Sequence, residues 1–453
     1  MATVTNCQVS CSFRSLRASP HGCEDKVPGT EARWTQVGLL RGNYKLLTPR
    51  KNHSIVDIID EDQGGGMSTE PIRALILSGG GGRGAFHAGV YKYLMKNHKV
   101  NVDSSHIGAW EPDIIVGTSI GAVNGAAIAQ GMSADQLVNV WKSLEEQDIQ
   151  GLPPGMRGIA RWVARAIFKE VMDVRLAQVS PQEATSPIPK EFWPPLPLLP
   201  RWLAQMLIGY WINLLDTGPL RKTLFTRFGL DENTLAASQK ALLIAATKVR
   251  TGERVLFSNR EVMDHKRGQP RPDVFTGITA DRILASCSIP LVYPWTYDAE
   301  TDAFYWDGAL VANTPLGVAI DMMGEDTSIP AEVVVVMMTP WWESGDPAPA
   351  KADTEPKSFG DAITWMLDWM LLASFRENLK MIRAFNELAV RERQMGDPPY
   401  RYRHVTPLIV SPLDFLRAER IIDYDGDVSA QLIEEGFKAA KHAFERTFPL
   451  SPG

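Results

Sequence analysis

The hydrophobic pattern of this chain begins late. Residues 1–70 show no sustained periodicity and are rich in Ser, Thr, Gly and charge. Such a segment buries too little apolar surface to offset its ordering entropy, so a disordered N-terminal extension is expected. Order is predicted to start at Ile72, with a short buried strand over 73–78. A helix is predicted over 84–97, a strand over 113–116 and a helix over 122–129. An amphipathic helix over 133–146 follows, with Ser133 as its N-cap. Further apolar strands are predicted at 241–246, 254–257 and 332–337. Continuous Val/Ile/Leu runs alternating with helices indicate a mainly parallel sheet covered on both faces, the three-layer α/β/α class.

Two segments interrupt this alternation. Residues 151–216 are rich in Pro, Leu and Trp, with Trp162, Trp193, Trp202 and Trp211. Within them, 157–170 reads as a basic amphipathic helix, suited either to an anionic membrane surface or, the commoner fate, to packing with a charged outer face. The segment is expected to cap the mouth of an active site. Residues 361–393 form a long helical pattern carrying Trp365, Met366, Trp369, Met370, Leu372 and Phe375, preceded by a Pro/Ala/Asp-rich linker over 343–358. The expected organisation is an extension over 1–70, a catalytic domain over 71–340, and a linker, helices and a completing strand over 341–453. A translation start at Met67, after Gly64, Gly65 and Gly66, is a further expectation.

Composition narrows the classes. A formal charge of -6 over 453 residues, with no basic stripe interleaved with aromatics, argues against nucleic-acid binding. Four cysteines, three of them Cys7, Cys11 and Cys23, make neither a disulfide framework nor a zinc spacing. No leader pattern opens the chain, and the apolar stretch at 196–215 is broken by Pro197, Pro200 and Arg201. A cytoplasmic protein, soluble or peripheral at a membrane, is expected. Oligomeric state is unreadable.

Three motifs carry chemistry. Gly117-Thr118-Ser119-Ile120-Gly121 lies between a predicted strand and a predicted helix. A serine with glycine two positions either side of such a turn is the nucleophile-elbow pattern, although a serine there also serves as a plain helix cap. Gly79-Gly80-Gly81-Gly82-Arg83-Gly84 leaves backbone N–H groups free to hold a phosphate or an oxyanion. Gly79, Gly81 and Gly84 also satisfy a dinucleotide fingerprint, with Asp103 near the ribose-binding distance, so a nucleotide-binding oxidoreductase stays open. Trp306-Asp307-Gly308-Ala309 places an acid at a strand end, a position where an Asx turn is common. A serine nucleophile needs a base. His87, His404 and His442 lack the surroundings of a catalytic imidazole and read as structural.

Taken together and in this order, the motifs resemble the patatin-like phospholipase family. Its marks are a Gly-rich loop with a basic residue, Gly-x-Ser-x-Gly, and Asp-Gly-Ala or Asp-Gly-Gly. The likeness covers roughly residues 72–340, with weaker echoes at 216–220, 251–252 and 285–290; Ser78 stands where plant members carry aspartate. The resemblance implies a histidine-free dyad, with Ser119 as nucleophile and Asp307 as base. Gly80, Gly81 and Gly82, supported by Arg83, would form the oxyanion hole, and Gly117 and Gly121 the elbow. It implies ester hydrolysis of phospholipid or another acyl lipid without metal or cofactor. A catalytically silent lipid-binding protein is the remaining alternative.

Overall fold

The computed structural model describes residues 70–96, 98–99, 107–151, 215–264, 268–342, 359–396, 398–413 and 424–447. The expected extension before residue 70, the start at Met67, Asp103, the 157–170 helix with the tryptophans of the capping segment, and the 343–358 linker lie outside them.

The described chain alternates as the hydrophobic pattern requires. It runs β1 (Ile72–Leu77), α1 (Ala85–Leu94), β2 (Ile114–Thr118), α2 (Ile120–Ala129) and α3 (Ala134–Ser143). It continues through β3 (Ala241–Lys248), β4 (Arg254–Ser258), α4 (Ala280–Ser286), β5 (Thr296–Asp298) and β6 (Ala303–Asp307). Then come β7 (Ala331–Val336), α5 (Phe359–Met395), β8 (Leu408–Val410) and α6 (Gly426–Thr447).

The strands form one nine-stranded sheet of order β5-β6-β3-β2-β1-β7-β8, with β4 on β3 and residues 274–276 on β4. The centre is parallel: β1 pairs with β2 and β7, β2 with β3, and β7 with β8. β4 and β6 run antiparallel to β3. Strand residues alternate between two cores. Leu75 and Leu77 face α1, α2, α3 and α6 through Phe86, Val123, Val138 and Leu432. Ala74 and Ile76 face the other layer, where Leu372, Phe375 and Leu379 of α5 pack. The fold is thus the three-layer α/β/α class read from the sequence.

Two boundaries differ from the periodicity. The predicted helix over 84–97 opens as a 3-10 turn at Gly81–Gly84 and ends at Leu94. The helix predicted over 133–146 stops at Ser143, because Leu144 turns extended and Glu145 and Asp148 cap a separate short helix, Glu146–Ile149. Ser133 does cap α3: it accepts from the Gln136 N–H while the Gln136 side chain accepts from the Ser133 N–H. Around His404 the backbone is irregular, and the completing strand expected within 341–453 is β8, which starts at Leu408.

α6 lies backbone to backbone on α1. A Cβ at Gly89 would fall 1.9 Å from the Ile433 carbonyl oxygen, and one at Gly436 would fall 2.2 Å from that of Phe86. No side chain fits either crossing, so these glycines fix how closely the C-terminal helix approaches the helix that follows the glycine loop.

Candidate active site

β3 is the ruler that builds the site. One of its edges is taken by β2 as far as Thr118, which pairs with Ala245. β2 must end there because the chain turns into the elbow. β6 takes over the same edge at the next residue, pairing Asp307 with Ala246. Two strands remote in sequence therefore abut end to end, and Ser119 and Asp307 meet at the junction. The Ser119 side chain hydrogen-bonds the Asp307 carboxyl, and both residues are buried.

The elbow is sterically forced. Ser119 adopts φ 55 and ψ -127, a conformation that costs an L-residue on the order of 1–3 kcal/mol. A Cβ at Gly117 would lie 2.3 Å from the Gly121 carbonyl oxygen, and one at Gly121 would lie 2.2 Å from that of Leu77. The Ser119 N–H donates to the Ser286 hydroxyl at 2.8 Å, and that hydroxyl donates to the Ala245 carbonyl at 2.6 Å. The end of α4 thus ties the strained turn to β3.

Asp307 is held by its own turn. Its Oδ1 accepts the Ala309 N–H at 2.8 Å, its N–H donates to the Ser288 carbonyl, and its carbonyl accepts from the Thr247 hydroxyl. Burial pushes its pKa up to about 7, against the two hydrogen bonds from Ser119 and Ala309 that lower it. Burial also holds the neighbouring Cys287 thiol well above its ordinary pKa, with the Asp307 charge adding to the effect. Cys287 is therefore a neutral thiol here and no rival nucleophile.

The glycine loop lies against the elbow. A Cβ on Gly79 would come within 3.0 Å of the Ser119 Cβ. The Gly79 N–H is engaged, donating to Asn313 Oδ1 at 2.7 Å. The N–H groups of Gly80, Gly81 and Gly82 have no protein partner among the described residues. Gly81 has φ 59, a left-handed conformation that glycine takes without strain. Three free donors on one turn beside a serine hydroxyl can neutralise a developing oxyanion. The Arg83 side chain is fully buried and donates to Asp368 on α5 at 2.9 Å. Asp368 also accepts from the Thr339 hydroxyl at 3.1 Å.

Among the described residues, no imidazole belongs to this cluster of contacts. His87 is fully buried, with Nδ1 3.2 Å from Asn124 Nδ2, and burial lowers its pKa to about 3. It is neutral, and Asn124 bridges it to the loop: Nδ2 donates to the Gly84 carbonyl while Oδ1 accepts from Trp141 Nε1. His404 and His442 are exposed.

The structure thus gathers Ser119, Asp307, Gly117, Gly121 and Gly80 to Gly82 into one site, with Arg83 behind the loop. Sequence reasoning missed the supporting residues Ser286, Asn124 and Asp368. Asn313, six positions after Asp307, likewise carried no assigned role.

Comparison with known proteins gives likenesses over part of the chain. The chain is 25% identical over 258 residues to a cGAMP-activated phospholipase of Vibrio cholerae, covering 56% of this chain and 58% of that protein. It is 24% identical over 249 residues to a cGAMP-activated phospholipase of Escherichia coli, covering 54% and 53%. The chain thus spans little more than half the length of the relatives it matches. Among solved structures it resembles VipD from Legionella pneumophila, with a TM-score of 0.37 and 12% identity over 83% of this chain and 67% of that one. The model of the patatin-like phospholipases matches residues 75–320, more than half of the chain, and the chain belongs to that family.

Proposed function

We propose that this protein is a serine acyl hydrolase that cleaves carboxylic esters of phospholipids or related acyl lipids. The observation that carries the reading is the hydrogen-bonded pair of Ser119 and Asp307, with the carboxyl raised to about 7. An ordinary carboxylate, with a pKa near ~4, is too weak a base for a serine hydroxyl. A desolvated one is a better match to neutral pH. Asp307 takes the Ser119 proton as Oγ attacks the ester carbonyl. The N–H groups of Gly80, Gly81 and Gly82 receive the negative charge on the carbonyl oxygen. The C–O bond to the leaving alcohol breaks, and Asp307 returns its proton to that oxygen. Water, deprotonated by Asp307, then attacks the acyl-serine, and the fatty acid leaves as Ser119 regains its proton. No step calls for a metal or cofactor.

We take residues 71–340 as the catalytic domain, supported from outside by α5, β8 and α6. An oxidoreductase built on the glycine loop leaves the elbow and Asp307 without roles. Among the described residues no helix is long and apolar enough to cross a membrane, so substrate would be met from one side, by peripheral contact. The relatives' name raises activation by a cyclic dinucleotide, which belongs in the same assay as an added component. The test is fatty-acid release from phospholipid vesicles, with fluorophosphonate labelling alongside. Wild type should do both, Ser119→Ala neither, and Asp307→Asn should label far more slowly. Undiminished release by Ser119→Ala would overturn the assignment.

A further inference from the structure

We propose that α5 is a self-association element, and that a second copy of this chain docks antiparallel along its exposed face about a two-fold axis at Ala384. One face of α5 is committed to the domain core: Leu372, Phe375, Leu379, Ile382 and Ala389 are buried. The face turned away is not polar. Met366, Met370, Met381, Leu388 and Met395 are exposed, Met381 at 55% and Met395 at 81%. They recur at steps of three and four or their sums, the spacing of a helix–helix seam. Ala373, Glu377, Ala384 and Arg391 fill the remaining steps and are exposed as well. From Ala373 to Met395 the seam spans about 33 Å at 1.5 Å rise per residue.

The order of residues along this seam selects the partner. When the helix is laid antiparallel on itself about Ala384, Glu377 falls opposite Arg391 of the second copy. Ala373 falls opposite Met395, and Met381 falls within one position of Leu388. Opposite charges meet, small residues meet large ones, and Ala384 meets Ala384 where the two helices come closest. A two-fold interface needs this self-complementarity, because every contact is made twice. In the single chain Glu377 is paired at 2.7 Å with Lys380, one turn away, and that pair is solvent-exposed. Glu377 is therefore free to accept Arg391 of the second copy as well. A lipid surface fits this face less well. Glu377 and Arg391 lie within the apolar stripe, and each would have to be dehydrated without a partner to insert.

The proposal is independent of the esterase reading, since it uses no residue of the Ser119 and Asp307 site. Light scattering on the eluting full-length chain, across a wide concentration range, tests it. Wild type is expected to be dimeric. Met381→Glu with Leu388→Glu is expected to give a monomer with an unchanged melting curve and unchanged fluorophosphonate labelling. Glu377→Arg alone, which sets like charges against each other at both ends, should weaken the dimer by about tenfold or more. Glu377→Arg combined with Arg391→Glu should restore it, and that recovery is beyond the reach of a folding defect. A wild-type monomer at every concentration overturns the proposal. So does a dimer that the seam variants leave intact, or a monomer whose vesicle binding is lost in those variants.

Discussion

Arg83, in the glycine loop, donates a 2.9 Å hydrogen bond to Asp368, which lies 285 positions later on α5, and both side chains are buried. The loop that we assign to the oxyanion is thereby fixed from behind by a helix outside the span of the family match. Removing one partner of such a pair leaves a buried charge uncompensated and typically costs about 3–5 kcal/mol, whereas replacing both with apolar groups is often close to neutral. Asp368→Ala should therefore lower the urea midpoint strongly, and Arg83→Met with Asp368→Leu should recover much of it. Turnover should stay low in the double variant, because its loop has lost the contact that sets its position. Full recovery of kcat would show that the pair serves stability alone.

The elbow glycines allow a sharper contrast. Gly121→Ala places a methyl 2.2 Å from the Leu77 carbonyl oxygen, a backbone atom that cannot yield without moving β1. Gly125→Ala, one turn further along the same helix, meets side-chain atoms alone, Ile115 Cγ2 at 3.1 Å and Leu242 Cδ1 at 3.4 Å being the nearest. We expect Gly121→Ala to abolish activity and to yield little soluble protein. Gly125→Ala should change stability by less than about 1 kcal/mol, since helix propensity gained offsets tighter packing. Comparable behaviour of the two would mean that the turn is looser than its geometry.

What the sequence disclosed was local. The apolar run of β2, the glycines around Ser119 and the helix after them are contiguous, so sterics and periodicity point to one outcome. The meeting of Ser119 with Asp307 is not local; it arises because β2 and β6 share one edge of β3, a register that no motif encodes. The resemblance supplied that pairing in advance. Ser286, Asn124 and Asp368 had no signature, because each acts through a partner brought close only by folding. The break after Ser143 was hidden for a related reason: apolar spacing runs on through it, while the stop depends on the capping pair of Glu145 with Asp148.

The rate should report the carboxyl. A base that titrates near pH 7 must be ionised to accept the Ser119 proton, so kcat/KM on a soluble ester should fall about tenfold per pH unit below that value and level off above it. Soluble substrate keeps changes in vesicle charge out of the profile. A rate that is flat from pH 5 to pH 8, to take a range of about three units around the carboxyl's pKa, would remove Asp307 from the role of base.

Stability should carry a second, separable signature, because two buried groups pull in opposite directions. Asp307 is raised from 3.8 to about 7, so between those values the folded protein holds a proton that the unfolded chain has released. Its contribution is therefore lost as pH rises, by up to about 1.4 kcal/mol per pH unit. His87 is lowered from 6.5 to about 3, so in that window the unfolded chain holds the extra proton. Its contribution grows as pH rises, at the same limiting slope. Across the overlap, from about pH 4 to 6.5, the two nearly cancel. Asp307→Asn should therefore make stability climb with pH through this window, and His87→Leu should make it decline. Denaturant unfolding at several pH values reads the slopes, which a constant packing cost of either substitution leaves untouched. Parallel curves for wild type and both variants would mean that neither group is held in the ionisation state its burial dictates.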